Sequence, residues 1–315
     1  MSVGFGAKAI LKYGWSGEAK NKVFGQGQTI TSFDRENNIE GLYTLGIRNW
    51  NYHVAKQYAV RIGVEWILSN PWIFKAILGK GETSGTSPPY THTFTAPDPE
   101  SDGEIASIDI VSYIPDQGLT TITNAKVATC RIAATQSEPA RMACDLIGTS
   151  DSLGAVGTDF IADTFEPYTF AQAELKYYSG GSYVTVGYVR SIEINYSNEL
   201  EVLYALGQRT PTKLIEKNLV IGGRMSIILN DNSNILKRFY GSVNSTAPET
   251  KVNAWNDIYL TFTKTANEYI EIKLGKIVLN TYSLPQSPTD VIVEDVEFVA
   301  NTMTVTAKND TSSIP

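Results

Sequence analysis

A chain that repeats itself must repeat its fold, and this one does. Residues Leu42-Tyr43-Thr44-Leu45-Gly46-Ile47-Arg48 return as Leu203-Tyr204-Ala205-Leu206-Gly207-Gln208-Arg209, 161 positions later. The same offset carries Ile39-Glu40 onto Leu200-Glu201. Upstream, the stretch from Phe5 to Tyr13 resembles that from Phe170 to Tyr177, with Lys12-Tyr13 displaced by 164. Downstream, Phe74-Lys75 to Gly79 matches Leu236-Lys237 to Gly241 at 162. Tyr90-Thr91-His92-Thr93-Phe94-Thr95 is echoed by Tyr259-Leu260-Thr261-Phe262-Thr263, and Ala125-Lys126-Val127 by Gly275-Lys276-Ile277 at 150. Offsets that hold within strands and drift between them are what loop insertions produce. The largest drift lies between Phe94 and Lys126, which gives the first copy an extra loop of 18 residues. The Gly/Ser/Asp-rich stretch from Gly148 to Gly154, extending to about Asp163, is read as the boundary. The expected domains are 1–155 and 156–315, each of ordinary single-domain size.

Within a copy the pattern is mostly strand. Val60, Ile62, Val64, Trp66 and Leu68 alternate with Arg61, Gly63, Glu65 and Ile67, the period-2 signature of a half-buried strand. The repeat reproduces it: Ile221, Gly223, Met225, Ile227 and Leu229 share one face, with Gly222, Arg224 and Ser226 opposite. Ile192, Ile194 and Tyr196 alternate with Ser191, Glu193 and Asn195. One helix is expected per copy. In the first, Ser69 or Asn70 caps, Pro71 opens, Trp72 to Leu78 is buried, and Gly79 supplies the left-handed stop. In the second, Asp231, Asn232 or Ser233 caps Ile235 to Tyr240, and Gly241 ends it. The fold class is therefore mainly β: two tandem β-sandwich or barrel domains, each with one short α-helix. Both copies also carry a long connection, Ile47 to Tyr58 and Gln208 to Asn218, where a hairpin normally needs two to five residues. A connection of about a dozen residues in both copies points to an arm with a function.

The sequence offers little reactive chemistry. Two histidines, His53 and His92, stand outside any metal motif. Cys130 and Cys144 lack CxxC spacing; they could form at most one bridge, and are read as small buried residues in a reducing compartment. Asp98-Pro99-Glu100-Ser101-Asp102-Gly103-Glu104 is acidic but lacks the alternating ligands of a calcium loop, and is read as a solvated loop. Gly25-Gln26-Gly27 lacks the third glycine and the helix of a dinucleotide site. No metal site, no cofactor and no catalytic residue is expected. No apolar run is long enough to span a bilayer, and the first residues lack the pattern of a secretory signal. The formal charge of −7 argues against gripping nucleic acid through clustered Lys and Arg. It is compatible with letting nucleic acid pass. Two further readings are a duplicated β-sandwich module that binds a surface or a carbohydrate, and a glycosidase whose two carboxylates only the fold would bring together.

The order of these elements carries a resemblance. An opening Phe-Gly-Ala-Lys strand comes first, then the Leu-Tyr-x-Leu-Gly-x-Arg strand end and a long arm. A strand into Asn70-Pro71 follows, then a short helix closing at Gly79, Phe94-Thr95, and a Lys126-Val127 strand. This succession resembles the major tail tube proteins of long-tailed viruses of bacteria and archaea, and its second pass is similar to the subset with two tube domains fused in one chain. The resemblance implies β-sandwich or barrel domains flanked by one helix, six domains to a ring, and rings stacked into a hollow tube that conducts viral DNA. A two-domain chain then implies trimeric rings with pseudo-sixfold symmetry. The implied partners are other copies of the chain, the tape measure, the tail terminator and the tail tip, with DNA passing unbound and no membrane. The implied location is the virion tail, after synthesis in the host cytoplasm.

On this reading the arms make the contacts between rings or subunits. Trp50 and Tyr52 give aromatic area, and Arg48, Lys56, Arg209 and Lys213 reach partner carboxylates. A wall past which DNA slides should be neutral or acidic. The candidate lumen residues are Ser32, Asp34, Glu65, Glu193, Asn195 and Ser226, although Arg61 and Arg224 share some of those faces.

Overall fold

A computed structural model describes residues 10–42, 52–96, 104–114, 118–154, 163–179, 182–229, 235–241, 244–250, 257–285 and 291–314. The first half contains strands β1 (Ile10–Trp15), β2 (Gln26–Glu36), β3 (Ile39–Leu42), β4 (Tyr52–Ala55) and β5 (Ala59–Ile67), then helix α1 (Phe74–Leu78). Strands β6 (Lys80–Ser84), β7 (Tyr90–Thr95), β8 (Ile108–Ile114), β9 (Gly118–Thr135), β10 (Arg141–Gly148) and β11 (Ser150–Gly154) follow. The second half contains β12 (Ala173–Ser179), β13 (Ser182–Thr185), β14 (Val189–Ser197), β15 (Glu201–Leu203), β16 (Lys213–Ile215) and β17 (Val220–Ile228), then helix α2 (Ile235–Tyr240). It closes with β18 (Asp257–Thr265), β19 (Glu268–Gly275), β20 (Val278–Ser283), β21 (Val293–Ala300) and β22 (Thr302–Asn309). The fold is mainly β, with two short α-helices, as the alternation of the sequence requires.

The pairings repeat. β5 lies between β2 and β10 as β17 lies between β14 and β21, and β1 pairs β8 as β12 pairs β18. Backbone irregularities repeat as well. Positive φ recurs at Asn38 and Glu199, at Gly79 and Gly241, and at Asn124 and Lys276. The β10–β9 ladder skips Ala128, and the β21–β20 ladder skips Asn280, 152 positions on. A bulge kept in both copies twists the same strand at the same place. The bend at Asn124 lets the 18-residue β9 serve two surfaces: its first part pairs with β8 and β11, its second with β10 and β14. In the second half the same course is split, at Lys276, into β19 and β20.

The path β2-β5-β10-β9-β14-β17-β21-β20 runs unbroken through both halves of an eleven-stranded sheet. A seven-stranded sheet, β13-β12-β18-β19-β22-β7-β6, packs over it, and one hydrophobic core fills the space between. Alternation decides which side chains enter it: Val60, Ile62, Val64 and Trp66 are buried from β5, Ile192, Ile194 and Tyr196 from β14, and Phe262, Ile270 and Ile272 from the facing sheet. Helix α1 closes one end with Ile73, Phe74, Ile77 and Leu78 fully buried, each contributing about 1.5–3 kcal/mol. It begins at Phe74, later than expected, because Pro71 to Ile73 form a tighter lead-in turn. Asn70 Oδ1 accepts the Trp72 N–H there, and Phe74 N–H donates to Pro71 O. Gly79 ends the helix at φ 105°, as expected. The expected caps of α2 lie outside the described residues, as does the opening Phe5 strand.

Three expectations are corrected. Tyr90–Thr95 is not the counterpart of Tyr259–Thr263: β8 holds that place, through its pairing with β1 and β9, while β6 and β7 form a hairpin that adds itself to β22 of the second half. Alternating Thr and aromatic residues suit any half-buried strand, so only the pairing partner distinguishes the two. The insertion in the first copy is therefore this hairpin rather than a loop after Phe94. The counterpart of Lys276 is Asn124 rather than Lys126, since the shared positive φ and the bulges at Ala128 and Asn280 set the offset at 152 rather than 150. Finally, Cys130 and Cys144, directly opposed on β9 and β10 with Cα atoms 4.1 Å apart, are joined as a disulfide rather than left as thiols.

Candidate functional site

The face of the eleven-stranded sheet that turns away from the core is polar along its length. Each strand presents every second residue there, so the residues that alternate with the core assemble into one surface. All six candidate lumen residues fall on it. Thr29, Ser32 and Asp34 of β2 stand opposite Glu65, Gly63 and Arg61 of β5, and Ser191, Glu193 and Asn195 of β14 stand opposite Ser226, Arg224 and Gly222 of β17. The same surface receives Arg141 and Asp145 from β10, Thr129 and Arg131 from β9, Asp295 and Glu297 from β21, and Thr281 and Ser283 from β20. These were missed in the sequence, although β21, with Val296 and Phe298 buried between Asp295, Glu297 and Val299, alternates as clearly as β5.

Carboxylates meet Arg141, Arg224 and Arg131 of this face, while Arg61 stands exposed opposite Asp34. Arg141 donates to Glu65 at 3.2 Å, and Glu193 lies 3.1 Å from Arg224 and 3.6 Å from Arg131. Other carboxylates accept from hydroxyls: Thr129 donates to Asp145 at 2.9 Å, Thr281 to Glu297 at 2.8 Å, and Ser226 to Asp295. The surface is concave, a trough lined by Glu65, Arg131, Asp145, Glu193, Arg224 and Glu297.

The arms are two-stranded hairpins, β3–β4 and β15–β16, and begin earlier than expected, at Ile39 and Glu201. They expose apolar side chains: Ile39, Leu42, Tyr52 and Val54 on the first, Leu203, Leu206 and Ile215 on the second. Tyr52 is 70% exposed. Arg48 and Trp50 lie outside the described residues.

The remaining arm candidates make contacts inside the chain. Arg209 joins the two arms, donating from Nε to Lys56 O and from Nη2 to Asn37 Oδ1, each at 3.1 Å, while Tyr58 N–H donates to Arg209 O at 2.7 Å. Lys56 pairs with Glu40, and Lys213 with Glu104, each at 2.5 Å. Glu104 also meets Lys126 at 3.2 Å, whose buried ammonium reaches Glu216 at 2.7 Å and Leu214 O at 3.1 Å. Hydrogen bonds from Lys213 and Lys126 hold the Glu104 carboxyl below its usual range. At the base of the first arm, Tyr58 donates to Asp151 and Arg35 pairs with the same carboxylate at 2.6 Å. Burial, and then that hydrogen bond, push the Tyr58 hydroxyl up to about 12.

The two histidines sit apart. His53 is exposed on the first arm. His92 is fully buried, with Nδ1 2.9 Å from Thr83 Oγ1 and Nε2 3.1 Å from Asn309 Oδ1, which fastens the β6–β7 hairpin to β22. Burial lowers its pKa. Apart from Glu104, the acidic stretch from Asp98 lies outside the described residues. No helix among the described residues is long and apolar enough to cross a membrane.

A family model described as phage tail tube protein matches residues 52–307. No curated protein matches the chain.

Proposed function

Since the chain belongs to the phage tail tube protein family, we propose that three copies of it close into a ring of six tube domains, 1–155 and 156–315 from each, and that the rings stack into the hollow tail tube that conducts viral DNA. The reading is of the two-domain fused type, non-catalytic, working in the virion tail after synthesis in the host cytoplasm. Its partners are further copies of the chain and the tape measure, terminator and tip proteins.

One observation carries the ring. Within the chain, β14 of the second half pairs with β9 of the first, Asn195 opposite Arg131 and Tyr196 opposite Cys130. The repeat supplies the same two edges again. β2 is the counterpart of β14, β20 is the counterpart of the second part of β9, and these are the two strands that end the sheet path. An edge left open invites pairing, and a head-to-tail contact that repeats with rotation closes a ring. Pairing β20 with β2 of the next chain, in the register of β14 on β9, sets Ser283 opposite Asp34 and Tyr282 opposite Arg35. The polar face then becomes a continuous inner wall, with Ser32, Asp34, Glu65, Glu193, Asn195 and Ser226 toward the lumen.

The arms follow the same logic. Arg48 is the repeat counterpart of Arg209, and Lys217 stands 161 positions after Lys56. The contact that Arg209 makes to Lys56 O within the chain is thus expected from Arg48 to Lys217 O of the neighbouring chain. Trp50, Tyr52 and Lys56, with Lys213, are assigned to subunit and ring contacts. Electron microscopy of the purified protein tests the proposal: hollow tubes of stacked rings are expected, and a monodisperse monomer at high concentration would overturn it.

A further inference from the structure

Where the two halves of the sheet meet, one carboxylate lies between two guanidiniums. Glu193 Oε2 accepts from Arg224 Nη2 at 3.1 Å and lies 3.6 Å from Arg131 Nη1, while Asn195 Nδ2 donates to Oε1 at 3.1 Å. The Glu193 side chain is 17% exposed, against 47% for Arg131 and 69% for Arg224. The acid is tucked into the sheet and the cations stand over it. Glu297, the ladder partner of Arg224 on β21, accepts instead from Thr281 at 2.8 Å. The constellation is absent from the second junction that the repeat defines, where Ser283, Ser32 and Gly63 take the places of Arg131, Glu193 and Arg224. It is therefore not a by-product of duplication.

Two exposed guanidiniums on one wall are what a phosphate backbone binds, through counterion release and forked hydrogen bonds. We propose that Glu193 is a positioning residue that clamps Arg131 and Arg224 and keeps them from phosphate, so that the wall lets duplex DNA slide. This inference rests on the reading that the polar face lines the lumen. With Glu193 removed, neither Arg131 nor Arg224 would have a carboxylate within salt-bridge distance among those described. Each ring would then offer DNA a girdle of cations.

The test uses assembled, open-ended tubes, a short fluorescent DNA duplex and a nuclease. At about 0.15 M salt, wild-type tubes are expected to retain little DNA. Glu193→Gln tubes should retain about tenfold more, protected from nuclease and released by added salt. Adding Arg131→Gln and Arg224→Gln should return retention to the wild-type level. Intact Glu193→Gln tubes that retain no more DNA than wild type would overturn the clamp and leave the tube reading standing. Retained DNA that the nuclease digests would overturn the clamp's place in the lumen. Wild-type protein that forms no tubes would overturn the tube reading itself. Should Glu193→Gln fail to assemble, Glu193→Asp takes its place, since a carboxylate one methylene shorter is withdrawn from both guanidiniums; retention no greater than wild type in those tubes would overturn the proposal.

Discussion

At the scale of single residues, the fold depends on side chains that stabilise backbone turns. Asn124 takes a positive φ so that β9 can leave one surface for the other, a conformation Asn tolerates better than most residues. Asp109 stabilises the bend. Its Oδ1 accepts from the Asn124 N–H at 2.9 Å and from Ser16 Oγ at 3.0 Å, and its Oδ2 pairs with Lys20 at 3.2 Å. Burial opposes its charge, but these donors outweigh burial and hold its pKa below the usual carboxylate range. A folded-state pKa below the unfolded one means stability that is present above the unfolded value, about 3.9, and lost as pH falls through the folded value. Asp109→Asn should therefore cost about 1–3 kcal/mol at neutral pH and flatten the acid limb of the stability profile. Denaturant unfolding at pH 7 and below pH 4 checks both; equal sensitivity of variant and wild type to acid would remove Asp109 from this role.

At the scale of elements, the arms are proposed to serve assembly, whereas the inserted hairpin serves the fold. Tyr52 and Val54 project from β4 into solvent, so replacing both with Ser should change folding stability by no more than about 0.5 kcal/mol per site while abolishing tube growth. Thermal melting and electron microscopy of the double variant check this, and tubes of normal length would remove the arm from assembly. The β6–β7 hairpin works inside the chain, covering the edge of β22 through the buried His92 bridge. It also shows where the sequence is legible. Strands β5, β14 and β17 and both helices could be read from alternation and stop signals, because one buried face imposes a period on each. The partner of β7 could not be read: Thr93 and Phe94 alternate as well against β22 as they would against any other strand, and pairing over more than two hundred residues leaves no local trace. The disulfide was hidden for the same reason, since a spacing of 14 between Cys130 and Cys144 becomes a direct cross-strand pair only once the β9–β10 register is set.

At the scale of the whole molecule, the duplication explains the open ends. The candidate lumen residues were chosen as polar positions on separate strands, and the sheet gathers them on one face because each copy has the same period and the same bulge. Arg131, Arg141, Asp145 and Glu297 alternate on their own strands in the same way, and join this face only once the β9–β10 and β17–β21 registers are set. The central claim is that the junction of β9 with β14 inside the chain recurs as β20 with β2 between chains. A double variant, Asp34→Cys with Ser283→Cys, tests it most directly, since both positions lie on the polar face and become direct partners only across that junction. Oxidised tubes run on a denaturing gel without reductant should give covalent dimers and a limiting covalent trimer, with neither single variant forming the ladder. Tubes that assemble but yield only uncrosslinked chains, or a ladder that continues past three, would contradict the account.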